Sequence, residues 1–162
     1  MMLSRHVRRL CGPGLALACG ISAAATGAPL APVEGVWRTQ NGTEVTITSC
    51  DEGYCGYLSK IVVPAEYFAK YGKLLEDLSV EQYFDFNNKD PALRNRRVLG
   101  LRIVSMRPDR SSSRYTGELY NAADGNTYAG SLDQLGPDLL RVTGCVLLVL
   151  CSGEDWVRVP GE

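Results

Sequence analysis

Histidine is almost absent from this chain of 162 residues: it occurs once, as His6. That residue lies in an N-terminal stretch that we expect to be removed, which would leave the mature chain without an imidazole. Ser-His-Asp and Cys-His catalysis are then excluded, and so is zinc held by histidine. We expect no cofactor, no metal and no enzymatic activity. A hydrolase with Asp85 and Asp90 as paired carboxylates remains a weak alternative.

A long hydrophobic segment is also missing. The apolar stretch Leu10–Ala25 is interrupted by glycine and proline, and it is too short to span a bilayer comfortably. It follows three arginines and ends in small residues, which is the pattern of a secretory signal peptide. We therefore expect residues 1–28 to be a signal peptide, cleaved after Ala25 or Ala28, and the mature protein to be exported to a periplasm or cell envelope.

Basic residues become scarce once residues 1–28 are removed. Fourteen lysines and arginines then face eighteen acidic residues, a net charge of −4. This balance argues against binding to nucleic acid or to an anionic lipid surface. Two features keep a membrane attachment open. The stretch Leu17–Gly20 resembles a lipobox, which would be acylated at Cys19, and the N-terminal stretch could also be retained as an anchor helix.

Four cysteines remain in the mature chain, and an even count in an exported protein predicts two disulfides. Three pairings are open. We favour Cys50–Cys55 and Cys145–Cys151, because each pair brackets a hairpin turn. A four-cysteine zinc site is the alternative, although the spacing does not match paired Cys-x-x-Cys knuckles.

Residues 29–162 are predicted to form a single domain of eight short strands. Asn-Gly at 41–42 and Asp-Gly at 124–125 mark tight hairpins, and apolar residues alternate along the flanking segments. Such a chain is all-β, and we predict a closed, up-and-down antiparallel barrel, with a β-sandwich as the alternative. A short helical insertion is expected at about 65–84, where Ser79 and Gln82 match a capping box. The predicted strands are Val36–Thr39, Glu44–Cys50, Cys55–Val63, Leu99–Met106, Arg114–Tyr120, Asn126–Leu132, Leu139–Cys145 and Asp155–Val159.

Gly-x-Trp in the first strand and Trp-x-Arg in the last resemble the signature of lipocalin-like, or calycin, barrels. The residues are Gly35, Trp37, Trp156 and Arg158. The resemblance implies that the arginine covers the indole of Trp37 where the first and last strands pair, which is a cation–π contact. These four residues are therefore expected to close the barrel.

A longer set of motifs covers residues 35–159. The matching positions are Gly35, Trp37, Cys50, Cys55-Gly56, Asn88-Lys89-Asp90-Pro91, Arg94-Asn95-Arg96, Leu99-Gly100, Tyr120, Asp124-Gly125, Tyr128, Trp156 and Arg158. In these motifs the chain resembles a bacterial family of exported proteins catalogued as domain of unknown function 2147. Lys89, Arg97 and Ala122 stand where that family often has proline, which affects turn rigidity more than the fold. The resemblance implies no activity.

The segment "NNKDPALRNRRVLGL", residues 87–101, is the most distinctive of the chain. We expect a strap that crosses the barrel mouth, held by Asx-turns and by arginines that reach Asp85 or Asp90. In the functional interpretation, Asn88, Arg94 and Arg96 bind the anionic head-group of a ligand. A calcium loop from Asp85 to Asp90 is a weaker alternative, because Lys89 and Arg96 occupy positions that should carry oxygen ligands.

Five apolar residues, Val146–Leu150, lie between two cysteines. We expect this loop to fold over one barrel end as a plug, and the alternative is an exposed patch that docks on a partner or membrane. The function predicted for the whole chain is non-catalytic binding of a small apolar or amphipathic ligand by an exported monomer. The alternative is an interaction protein with a filled barrel, which binds an envelope partner through its loops.

Overall fold

A computed structural model describes residues 33–63, 65, 69, 79, 82–110, 113–147 and 149–161. The predicted signal peptide and most of the helical insertion predicted at 65–84 lie outside these residues. Ser79 and Gln82 are described, and the Ser79 backbone N–H donates to Gln82 Oε1 over 2.9 Å. That bond is the glutamine half of the predicted capping box. Downstream of this interval the strap contains a 3₁₀ helix, Pro91–Leu93.

Eight antiparallel strands form a closed barrel in which each strand pairs with the next and the last pairs with the first. The strands are β1 Gly35–Arg38, β2 Glu44–Cys50, β3 Gly53–Lys60, β4 Arg102–Pro108, β5 Arg114–Asn121, β6 Asn126–Gly136, β7 Leu139–Val146 and β8 Leu150–Arg158. The predicted fold is confirmed, and the sandwich alternative is wrong. Full closure leaves no sheet edge exposed to other chains.

Two strand starts differ from the prediction by three residues or more. β4 begins at Arg102 rather than Leu99, because Leu101 still belongs to a turn in which its N–H donates to the Val98 carbonyl at 3.1 Å. β8 begins at Leu150 rather than Asp155, because its ladder with β7 continues to the pair Val146–Leu150. Glycine and serine near the start of β8 have low strand propensity, and pairing with β7 overrides it.

The barrel closes where Trp37 pairs with Arg158 and Arg38 pairs with Val157. Trp37 is fully buried, and its indole N–H donates to the Val33 carbonyl over 2.8 Å. Gly35 has a φ of +130°, and a Cβ there would lie 2.5 Å from Arg158 Nη1. Glycine is therefore needed at this position both for its backbone conformation and for the space that the arginine takes.

The apolar core fills the barrel interior towards this closed end. Inward-facing residues alternate with outward-facing ones along each strand, and cross-strand pairs such as Val104–Leu119 and Leu132–Val142 lie on the inner face. Residues of the inner face that are at most 1% exposed are Trp37, Val45, Ile47, Val104, Met106, Leu132 and Leu140. The opposite end of the barrel, where β5 meets β6 and β7 meets β8, has no comparable cluster among the described residues.

Disulfides join Cys50 to Cys55 and Cys145 to Cys151. Both are the pairs that the sequence favours, and each staples two neighbouring strands near their hairpin turn. All four cysteines of the predicted mature chain are therefore disulfide-bonded, so the alternative zinc site has no thiolate ligands.

Candidate functional site

An open cup lies inside the barrel at the end opposite Arg158. Two adjoining clefts form it, with volumes of about 440 and 500 Å³. Both are lined by Asn121, Tyr128, Gly144 and Ser152. Gly144 of β7 contributes no side chain to this face, and a Cβ there would lie 3.7 Å from Leu119 Cδ1 and 4.0 Å from Tyr128 Cβ. The Leu119 side chain occupies the space over Gly130, the cross-strand partner of Gly144. Here the barrel interior is a cavity rather than a packed core.

The deeper cleft combines apolar walls with one charged group. Leu119, Val142 and Trp156 line it together with Glu154. The Trp156 indole N–H donates to Glu154 Oε1 over 2.6 Å, which orients the carboxylate. Glu154 pairs with Val142 in the inward-facing register, so its side chain belongs to the interior. It is the one lining residue with a formal charge among the described residues of both clefts.

Tyr128 is held in place from the turn between β5 and β6. Its hydroxyl donates to Asp124 Oδ2 over 2.6 Å and accepts from Asn126 Nδ2 over 3.4 Å. The hydrogen bond to Asp124 raises the pKa of the Tyr128 phenol, because ionisation would place two negative charges side by side. The ring is thus fixed as a neutral wall of the cup.

The apolar loop between Cys145 and Cys151, called the tip (Val146–Leu150), does not plug the barrel. The exposed fractions of its described residues are 48% for Val146, 82% for Leu147, 77% for Val149 and 68% for Leu150. The plug interpretation is therefore wrong for these residues. The β7–β8 ladder carries the tip beyond the barrel rim, so it extends the wall of the outer cleft instead of covering it.

The strap (residues 87–101) is organised around Asp85, which is fully buried. Asp85 Oδ1 accepts from the Tyr120 hydroxyl at 2.5 Å, and its Oδ2 accepts from Asn88 Nδ2 at 2.8 Å and Arg96 Nη2 at 2.9 Å. Three donors therefore compensate the desolvation of this carboxylate. The Asp85 backbone N–H also donates to the Arg96 carbonyl over 2.9 Å. This bond joins the residues just before the strap to its C-terminal half.

The surroundings of Tyr120 in this hydrogen-bonded group strongly favour the neutral form of its phenol. Burial, followed by the hydrogen bond to Asp85, raises the pKa of Tyr120 to about 12. Tyr120 lies on the outward face of β5, because it pairs with Thr127 one position beyond the inward pair Leu119–Tyr128. The strap is thus bonded to the outer side of β5.

The three residues predicted to bind a head-group lie in the strap. Asn88 also donates to the Tyr120 oxygen over 2.8 Å, and Arg94 Nε donates to the Asn88 carbonyl over 2.8 Å. Asn88 and Arg96 line a cleft of about 490 Å³ between the strap and the outward faces of β4–β6. Asn88, Arg94 and Arg96 do not line either cleft of the cup. Their role in binding a head-group stays a prediction.

Local turns shape the strap as expected from its amides and acids. Asp90 accepts from the Ala92 N–H over 2.9 Å and caps the 3₁₀ helix. Asn87 Nδ2 donates to the Ala123 carbonyl over 3.0 Å, which ties the strap to the β5–β6 turn. Gly125 in that turn has a φ of +71°, and a Cβ there would lie 1.8 Å from the Asn87 carbonyl oxygen. Only glycine allows the β5–β6 turn and the strap backbone to come this close together.

Sequence reasoning missed four polar residues that line the cup, which are Gln40, Asn121, Ser152 and Glu154. A usable signal exists in β8, where Ser152 and Glu154 precede Trp156 by four and two residues and therefore share its face. The late predicted start of β8 hid this alternation. Within the described part of the chain, no group of three or more His, Cys, Asp or Glu side chains is placed to hold a metal ion.

Comparisons with known proteins agree with the barrel. Residues 35–158 match a family model described as "Uncharacterized protein conserved in bacteria (DUF2147)". A search of solved structures finds protein HP1028 from Helicobacter pylori, described as belonging to the lipocalin family, with a TM-score of 0.64 and 20% sequence identity. The alignment covers 82% of this chain and 86% of that one, and at this identity it shows the fold alone. No curated protein matches. Among the described residues, no helix has the length and hydropathy needed to cross a membrane.

Proposed function

The chain belongs to this family of uncharacterised bacterial proteins and has a lipocalin-like barrel, and from that premise we propose that it binds one small apolar or amphipathic molecule in the cup. The observation that carries the proposal is the open interior beside Gly144, which lines both clefts. Cleft volumes of about 440 and 500 Å³ fall within the range of small-molecule sites.

The lining also fits a binding role. Leu119, Val142 and Trp156 offer apolar and aromatic surface, while Asn121 and Ser152 supply a few polar groups that can orient a ligand. Small-molecule sites commonly combine these two elements. The lining contains no histidine or free thiol among the described residues, which favours binding without chemical change.

We place this binding outside the cytoplasm, in a bacterial periplasm or envelope. Two disulfides support an oxidising compartment, because thiols remain reduced in the cytosol. The signal-peptide pattern of residues 1–28 supports export. The proposed form is a monomer, since the closed barrel has no free edge strand to pair with a second copy.

The experiment is a fluorescence titration of the purified mature protein with the neutral apolar probe N-phenyl-1-naphthylamine. Wild type is expected to bind the probe, and Gly144→Leu is expected to lose at least tenfold in affinity. A Cβ at Gly144 would lie 3.7 Å from Leu119 Cδ1, an ordinary van der Waals distance, so a side chain can begin there without a clash and take up space in the cup. Gly136→Leu is the matched control, because a Cβ there meets nothing within 4 Å. Equal binding by both variants would refute a site in the cup.

The exposed tip supports a second candidate function, docking on an envelope protein through Leu147 and Val149, which are 82% and 77% exposed. Apolar side chains exposed together in this way commonly mark interaction sites. Leu147→Asp is expected to abolish such docking and to leave probe binding in the cup intact, because Leu147 lines neither cleft of the cup. Loss of probe binding alone would point to the tip as part of the ligand site.

A further inference from the structure

The charge on the lining of the cup has one sign. Glu154 is the single formally charged residue among the described residues that line the two clefts, and no described lysine or arginine lines either of them. Among the described residues, no basic side chain forms a salt bridge with Glu154. An anionic ligand such as a fatty-acid carboxylate would therefore meet repulsion in the cup and no compensating cation.

The carboxylate of Glu154 is available to a ligand. Its Oε1 accepts one hydrogen bond, from the Trp156 indole over 2.6 Å, and no other hydrogen-bond donor to it is found among the described residues. A carboxylate accepts several hydrogen bonds at once, so acceptor capacity remains on both oxygens. The neighbouring aromatic residues, Trp156 and Tyr128, line the same cleft. Aromatic faces attract ammonium groups, and they do so most strongly where water is excluded.

The polarity of the cup also has a direction. Along the inner face of β8, Trp156 and Glu154 lie deep, Ser152 follows, and Leu150 reaches the rim opposite Val146. The four residue-to-residue steps from Glu154 to Leu150 span about 13 Å of extended strand. The charged group therefore lies at the deep end, and the apolar tip residues lie at the mouth. A ligand that matches this order enters with its polar head first.

We propose that the cup selects amphipathic molecules with a cationic, ammonium-type head, which pairs with Glu154 while the apolar tail lies against Val146, Val149 and Leu150 at the rim. This inference rests on the proposed function, because it names the class of ligand that the cup takes. Asp155, the neighbour of Glu154 in β8, is paired with Arg141 on the outer face and does not compete for the same head.

The test uses three decyl probes with the same tail and different heads: decyltrimethylammonium, 1-decanol and decanoate. Each displaces N-phenyl-1-naphthylamine from the mature protein, so one assay reports all affinities. We expect decyltrimethylammonium to bind at least tenfold more tightly than decanoate, with decanol between them. Glu154→Gln is expected to weaken the affinity for decyltrimethylammonium about tenfold and to change the affinity for 1-decanol by less than twofold. Glu118→Gln is the control, because it removes the same charge from the outward face of β5.

The outcomes separate the two proposals. If the naphthylamine and decanol bind but the ammonium binds no better than decanoate, the cationic preference is wrong and the binding function stands. This comparison uses wild type alone, so it decides the point even if Glu154→Gln does not fold. If Glu154→Gln folds and weakens the binding of 1-decanol as much as that of decyltrimethylammonium, the assignment of the head to Glu154 is wrong. If none of the probes binds, the proposed function itself fails.

Discussion

The guanidinium carbon of Arg158 lies 4.2 Å from the centroid of the Trp37 ring. The same side chain donates from Nη1 to the Glu34 carbonyl over 2.7 Å and from Nε to the Pro137 carbonyl over 2.8 Å. Only two residue pairs join β1 to β8, so the ladder that closes the barrel is short. The arginine adds contacts across this seam that backbone pairing alone does not supply.

Replacement of Arg158 by alanine is expected to lower the free energy of unfolding by about 2–3 kcal/mol, from the lost cation–π contact and two charge-assisted hydrogen bonds. Arg158→Lys should recover less than half of this, because an ammonium lacks the planar fork that reaches both carbonyls. Urea unfolding measures both. Arg38→Ala is the control, since its side chain is 45% exposed. Equal stability of the Arg158→Ala and Arg38→Ala variants would show that the seam does not depend on Arg158.

The strap should depend on Arg96 more than on its neighbour. Arg96→Ala removes one of three donors to the fully buried carboxylate of Asp85 and is expected to cost about 1–3 kcal/mol. Arg97→Ala is the control, because that exposed side chain makes no ion pair among the described residues. Thermal unfolding of the two variants provides the comparison. A melting temperature unchanged by Arg96→Ala would contradict the strap interpretation.

Alkaline pH should weaken the fold through Tyr120. Its pKa is about 12 in the folded protein, raised from 10.0, so the folded state holds this proton more tightly than the unfolded state does. The resulting stabilisation is complete below pH 10 and is lost as the pH rises towards 12. In Tyr120→Phe this contribution is absent, and the decline in stability over that interval should be shallower. Urea midpoints at several pH values measure how stability declines with pH in the wild type and in Tyr120→Phe. Equal declines in the two proteins would argue against the raised pKa of Tyr120.

The tip should tolerate charge. Leu147→Asp with Val149→Asp is expected to change the free energy of unfolding by less than about 0.5 kcal/mol, because both side chains are exposed. Leu140→Ala in the same hairpin is the contrast, since Leu140 is fully buried and its truncation should cost about 2–5 kcal/mol. Chemical denaturation measures the free energy of unfolding of the tip variant and of Leu140→Ala. A large loss in the tip variant would revive the plug interpretation.

Much of the barrel could be predicted because its signals are local. Asn-Gly at 41–42 and Asp-Gly at 124–125 specify tight turns, and Cys50 and Cys55 bracket another. Alternation along segments such as Glu44–Cys50 identifies a strand with one buried face. The match of Trp37 with Arg158 could be expected from resemblance, since first and last strands must meet in any closed barrel.

The sequence by itself therefore determined the strand count and the turns, since both depend on residues close together in the chain. It favoured the cysteine pairs for the same reason but left the other two pairings open, and the structure decided between them. Tertiary structure alone decided that Glu154 faces an open cup, that the tip extends beyond the rim, and that Asp85 meets Tyr120 across 35 positions. The physical reason is that alternation shows which residues share a face. Their depth in the barrel depends on the stagger between strands, which is set by the pairing of the whole sheet.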